Sequence, residues 1–287
     1  MKQLLTVALN GLTLAALYFI VASGFTLIFG LMRTVNLAHG ALFLLGAYVG
    51  YSVVEGTGSW LLAIAVAFAA VGLVGAALQR GLLDRLQGQD LRQALVTIGV
   101  SLVLADAMML GWGGIPYQIE APEILAGAVF LPEVRGYPAL RLALIALALL
   151  LFAALWLLLN RTRVGAMVRA GVDDREMVGA LGIDVPTLSG LVFALGAGMA
   201  GAAGVVGGTV LSLSPGEDAR YLLASLVVVI VGGMGSIGGA ALGALAVGLV
   251  EQAALAYAPT YAAVFTFLIM AATLVLRPQG LLGRAAR

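Results

Sequence analysis

The chain has 287 residues, 62% of them hydrophobic and only 10% charged, with a formal net charge of +1. Globular domains carry about 25% charged residues, so no water-soluble fold of this length hides that much apolar surface, and the solvent must be lipid. The absence of cysteine excludes disulfides and thiolate metal sites, and the near-neutral balance offers nothing to nucleic acid.

Backbone polar groups find no water inside a bilayer, which leaves helices and closed barrels as spanning elements. The short alternating segments of a barrel are missing, so the expected fold class is all-α: a polytopic helical membrane protein in a single domain, residues 1–287, with 7–9 transmembrane or re-entrant helices. Residues 4–31 follow Lys2 and read as the first span, since the run is too long for the apolar core of a signal peptide. Further runs fall at 38–54, 60–78, 94–112, 140–159, 186–211, 221–233, 240–258 and 261–276. The run at 221–233 is short and ends in GGMGSIGG, so it either crosses or dips in and returns with 240–258.

Alternate threading of these runs puts 11 of the 15 basic residues, including Arg33, on one side. The breaks at 79–93 and 160–185 and the tail from Arg277 supply the others. Lys2, Arg135, Arg141 and Arg220 fall on the opposite side. Positive charge is retained in the cytoplasm, so the amino terminus is expected outside and the carboxyl terminus inside. The loop 113–138, with four prolines, is then periplasmic and long enough to cap an opening.

Glycine supplies 39 residues. Gly196, Ala200, Gly204 and Gly208 recur four apart, as do Gly235, Gly239 and Gly243, the spacing that lets helix backbones approach closely. Within MRTVNLAHG (32–40), Arg33, Asn36 and the sole histidine, His39, sit between two apolar runs. Either Asn36 caps the following helix, or Asn36, His39 and Gly40 border a path or gate. Asn10, Asp106 and Glu251 fall inside spans, where ionisable groups face the interior or water. A structural role is expected for Glu251, while Asp106 is divided between structure and path.

Catalysis finds no footing: there is one histidine and no HExxH pattern. The only lysine is Lys2, so a phosphate loop, GxxxxGK[ST], is impossible and any ATP must be bound by another polypeptide. In the break 160–185, Asp173 and Glu176 have the spacing of a capping box and Gly182 suits a helix end. Met177, Val178 and Leu181 would share a small apolar face. So short a helix is hardly stable alone, and it needs its own membrane domain, the lipid interface or a partner's groove to dock on.

Four ordered motifs, NGLTLAALYFIVASGFTLIFGLMRTVNLAHG (10–40), VGAMVRAGVDDREMVGALGID (164–184), GGMGSIGGAALGALAVGLVE (232–251) and RPQGLLG (277–283), resemble those of branched-chain amino acid ABC importer permeases, the LivH-type inner-membrane subunits. The resemblance implies an inner-membrane permease that pairs with a similar or identical permease, two cytoplasmic ATPases that hold the ATP and magnesium, and a periplasmic solute-binding protein. The chain itself would need no cofactor, metal or nucleic acid. The loop would be the ATPase-coupling element, with Arg169, Ala170, Asp174, Met177, Leu181 and Gly182 as its residues. The cargo would be a branched-chain or other small amphipathic amino acid, or a related amide or organic acid. An ion-coupled secondary transporter or channel is the rival reading, and it would depend on Asp106 or Glu251 instead of the loop.

Overall fold

The long apolar runs all become helices. The computed structural model describes residues 2–32, 36–130, 136–173 and 175–283. Helix α1 runs Lys2–Met32, α2 His39–Thr57 and α3 Trp60–Leu78, the last tightening into a π turn at Gln79–Leu83 and a 3-10 turn at Asp84–Leu86. Then come α4 (Asp90–Trp112), the antiparallel pair β1 (Ala128–Val129) and β2 (Tyr137–Pro138), and α5 (Ala139–Arg161). Two short helices follow, α6 (Arg163–Asp173) and α7 (Arg175–Ala180), and then α8 (Val185–Val210), α9 (Asp218–Gly232), α10 (Ile237–Tyr257) and α11 (Ala262–Leu276). Among the described residues, seven helices are long and apolar enough to cross a membrane. The runs at 38–54 and 221–233 become α2 and α9, which lie against the others inside the bundle.

Local chemistry sets the boundaries. Gly58 ends α2 at φ 68°, in the left-handed region that glycine enters without strain. Ser59, Asp184 and Ser236 cap α3, α8 and α10 by accepting the backbone N–H groups of Leu62, Thr187 and Gly239.

The core is organised around α8, which uses small residues on every side. A Cβ at Gly196 would sit 2.7 Å from the Gly24 carbonyl oxygen of α1, and one at Gly204 would sit 2.1 Å from the Phe43 oxygen of α2. On α3, the Ala67 oxygen would be 2.7 Å from a Cβ at Gly201. A second close seam joins α9 to α10, where Cβ atoms at Gly239 and Gly243 would meet the Gly232 and Val228 oxygens at 2.3 and 2.4 Å. Gly235, at φ 78°, turns the chain between these two helices and lies against Gly30. Outside this centre, α4, α5 and α11 carry exposed apolar residues such as Leu102, Leu110, Leu149, Leu150, Val264 and Leu268, a surface suited to lipid tails.

The chain end clasps the inner bundle. Leu281 and Leu282 donate backbone N–H groups to the Val231 and Gly232 carbonyl oxygens, both at 2.9 Å, which satisfies two of the acceptors α9 leaves open at its end.

Replacing Gly204 with Ala forces α8 off α2 and should cost about 1–3 kcal/mol, in line with overpacking elsewhere. Gly99→Ala, where no atom lies within 4 Å of the added methyl, is the control. Thermal unfolding in detergent checks both, with only the first expected to lose its melting temperature.

Candidate functional site

Two helices begin in the middle of the bundle. The His39 ring, at the first residue of α2, donates from Nε2 to the Val21 carbonyl oxygen at 3.0 Å. Val21 lies 11 residues short of the α1 terminus at Met32, roughly 16 Å of helix rise. At the first residue of α9, the Asp218 carboxylate accepts the Ser101 hydroxyl at 3.0 Å, and Ser101 is at the centre of α4. The two starts touch: a Cβ at Gly40 would lie 1.9 Å from the Asp218 carbonyl oxygen. Within residues 221–258, the 15-residue α9 turns through Gly233 and Gly235, both at positive φ, into the 21-residue α10.

Asn36 does not cap α2. The N-cap position is Ala38, and the Asn36 Oδ1 accepts the Ala38 N–H at 3.1 Å, closing a short side-chain turn ahead of the helix. The reason is the extra Leu37–Ala38 step, which leaves the Asn36 side chain too early to reach the first helical N–H groups. The Leu37 N–H instead donates to Thr97 Oγ1 at 3.2 Å. Asn36 and His39 are both buried, and His39 stands edge-on to Phe25 at 5.2 Å. A crevice beside Asn36 and Thr97 has space for about one water, so this turn lies among packed helices. Arg33 lies outside the described residues.

Nearby, α1, α9 and α10 bring polar groups together. The Tyr18 hydroxyl donates to Glu251 Oε2 at 2.8 Å, and Thr266 Oγ1 adds a second donor at 3.4 Å. Glu217 and Arg220 form an (i, i+3) pair with 3.9 Å between Oε1 and Nη1. Tyr221 stacks on Phe43 with ring centroids 4.2 Å apart, and its hydroxyl lies beside Glu217 with no hydrogen-bond partner of ordinary geometry. Across the gap, Tyr48 stacks on Trp112 at 5.3 Å and meets Tyr117 edge-on at 6.1 Å, and its hydroxyl is also unpartnered. Tyr117 belongs to the loop 113–138, which exchanges backbone hydrogen bonds of 2.9 and 2.6 Å with Leu213, in the segment entering α9. Asp106 is exposed, roughly 140° around α4 from Ser101, and does not join this cluster. Asn10 accepts Arg141 Nη1 at 2.6 Å and ties α1 to α5.

The family model for the permease component of branched-chain amino acid transport systems matches residues 7–274. The chain belongs to that family of membrane permeases. It is 30% identical to the high-affinity branched-chain amino acid transport permease BraD of Pseudomonas aeruginosa, over 96% of this chain and 94% of that protein. It is 28% identical to LivH of Escherichia coli K12, over 96% and 94% of the two chains. A probable branched-chain amino acid transport permease of Methanocaldococcus jannaschii shares 25% identity over 92% of this chain and 88% of its own length. No solved structure matches.

In this permease the loop 160–185 holds two helices where the sequence suggested one. The run from Arg163 to Asp173 is itself strongly amphipathic, and Gly165 lets it close on the end of α5, where a Cβ would meet the Leu158 and Leu159 carbonyl oxygens at 2.4 and 2.3 Å. Gly182, at φ 83°, ends α7 in a Schellman motif: its N–H bonds the Gly179 oxygen at 3.0 Å, and the Ile183 N–H bonds the Val178 oxygen at 3.3 Å. Met177, Val178 and Leu181 do not share a face, because α7 turns Val178 into the protein at 2% exposure and leaves Met177 at 58% and Leu181 at 73%. Ala170 is exposed, whereas Arg169 is half-buried with Nη1 unpaired. Asp174 lies outside the described residues, as do the side chains of Asp173 and Glu176 that would form the capping box.

Sequence reasoning missed Tyr18, Tyr48, Tyr221, Ser101 and the Glu217–Arg220 pair. The available signal was the position of Arg220 one residue before an apolar run, which is equally the mark of a loop end and of a charged first helical turn. Replacing Tyr18 with Phe withdraws the main donor from a half-buried carboxylate and should cost about 1–3 kcal/mol, and adding Glu251→Leu should recover most of that loss. Thermal unfolding of the two variants in detergent measures both numbers.

Proposed function

We propose that this permease forms one half of the solute path of an ATP-driven importer in the bacterial inner membrane. Its amino terminus lies outside and its carboxyl terminus in the cytoplasm. The partners are a second permease, two cytoplasmic ATPases that bind ATP and magnesium, and a periplasmic binding protein. The cargo is a branched-chain or similarly small amphipathic amino acid, with related amides and organic acids as the neighbouring possibilities in the same chemical class. The chain has no ATPase activity of its own. The observation that carries this reading is the family match along residues 7–274.

Two physical features support it. The arginines at 80, 85, 92, 161, 163 and 169 gather at one end of the bundle, as expected for the cytoplasmic side. At that end α7, six residues long, and the turn that closes it present Met177 and Leu181 outward. An apolar pair on so short a helix is suited to a groove on a separate protein, where it transmits the motion of nucleotide binding through Val178 and α8.

Reconstitution into proteoliposomes tests the reading. The permease with its companions should accumulate L-leucine against a gradient only with ATP, and the purified chain alone should not. Leu181→Asp should reduce ATP-driven uptake at least about tenfold while the membrane domain folds normally, since a buried carboxylate at an interface core costs several kcal/mol. Uphill transport by the chain alone, or full uptake with Leu181→Asp, overturns the coupling role.

A further inference from the structure

The bundle keeps a charged pair at a depth where lipid is a poor host. Arg220 is 67% exposed and Glu217 34%, and both lie at the start of α9, in the middle of the bundle. The Arg220 guanidinium is within electrostatic reach of the Tyr18 hydroxyl, and Tyr18 is near the centre of α1. Ionisable groups at such depth face the protein interior or a water-filled cavity, and Arg220 does not face the interior of this chain. Two independent observations point the same way. The backbone over 211–217 is largely irregular as it runs from the end of α8 to the start of α9, and irregular backbone at membrane depth persists only where it is buried in protein or lines water. Tyr221, 6% exposed, holds its hydroxyl beside Glu217 without a hydrogen bond of ordinary geometry, a donor only loosely engaged by the fold.

We propose that Glu217, Arg220 and Tyr221 form a station on the translocation path that holds the zwitterionic main chain of an α-amino acid. The station rests on the amino-acid importer reading given above. The guanidinium offers a two-pronged donor to the carboxylate, Glu217 accepts the ammonium, and the Tyr221 hydroxyl completes the carboxylate's shell. The 3.9 Å between the two protein charges is close to the separation of the two charges on an α-amino acid, so the solute substitutes for the internal pair at both ends. Half-helices that begin at mid-depth are where transporters place such sites. The arrangement favours solutes that carry both charges over amines or carboxylates alone.

The test uses the complete transporter, this chain with its companion subunits, in proteoliposomes. The chain contains no cysteine, so a single Leu223→Cys reports on the face it shares with Arg220, three residues away. That thiol should react with a membrane-impermeant cationic thiosulfonate, and L-leucine with binding protein should slow the reaction. Leu150→Cys, on the lipid-suited face of α5, should stay unreactive. Arg220→Gln should lower L-leucine uptake at least about tenfold, the worth of a charged hydrogen bond, and Arg220→Lys should lower it less. Both variants should still co-purify with the ATPases. An unreactive Leu223→Cys, unchanged uptake with Arg220→Gln, or loss of the companion subunits from that variant overturns the station, the last by making Arg220 a subunit contact. If the wild-type transporter takes up no leucine while Leu223→Cys still reacts, the amino-acid importer reading fails and the zwitterion assignment falls with it.

Discussion

Backbone-to-backbone contact around α8 is the constraint on which the arrangement depends. In lipid there is little hydrophobic drive between helices, so association relies on close van der Waals packing. Gly196, Gly201 and Gly204 bring α8 within carbonyl contact of α1, α3 and α2. Their three directions around one helix define a centre that no single glycine stripe would specify. The helices with lipid-suited leucines, α4, α5 and α11, are not among those packed on α8.

Beside that tight centre, α2 and α9 begin inside the bundle. A helix beginning at mid-depth exposes N–H groups and invites polar residues that would be costly against lipid. Ahead of α2 the Asn36 side chain accepts the Ala38 N–H and the His39 ring donates to the Val21 carbonyl, and at α9 the Asp218 carboxylate accepts the Ser101 hydroxyl. At its far end α9 borrows donors from Leu281 and Leu282. Helices α2 and α9 are thus held at their ends by segments distant in the chain.

Much of this was legible in the sequence. The membrane class, the family and the positions of the long helices follow from apolar runs and four ordered motifs, and most helix boundaries fall within a few residues of the runs. The departures have physical causes. Helix α9 starts at Asp218, three residues before its apolar run, because the Asp218 carboxylate bonds Ser101 and the first turn is polar. Hydropathy reads Arg220 as a loop residue for the same reason. Helix α6 was hidden because its glycines and arginines break up any long apolar run, although Gly165 closes it against α5. The tyrosine cluster could not be read at all, since Tyr18, Tyr48 and Tyr221 come near one another only after three helices have assembled, and no local spacing encodes that.

The clasp at the chain's end also bears on biosynthesis. The acceptors closing α9 belong to Val231 and Gly232, but their donors arrive 50 residues later, at Leu281 and Leu282. At roughly 5–20 residues per second, the ribosome needs several seconds to deliver them. Through that interval the helix that carries the charged pair has an unfinished terminus, so its final seating is deferred until the last few residues have emerged.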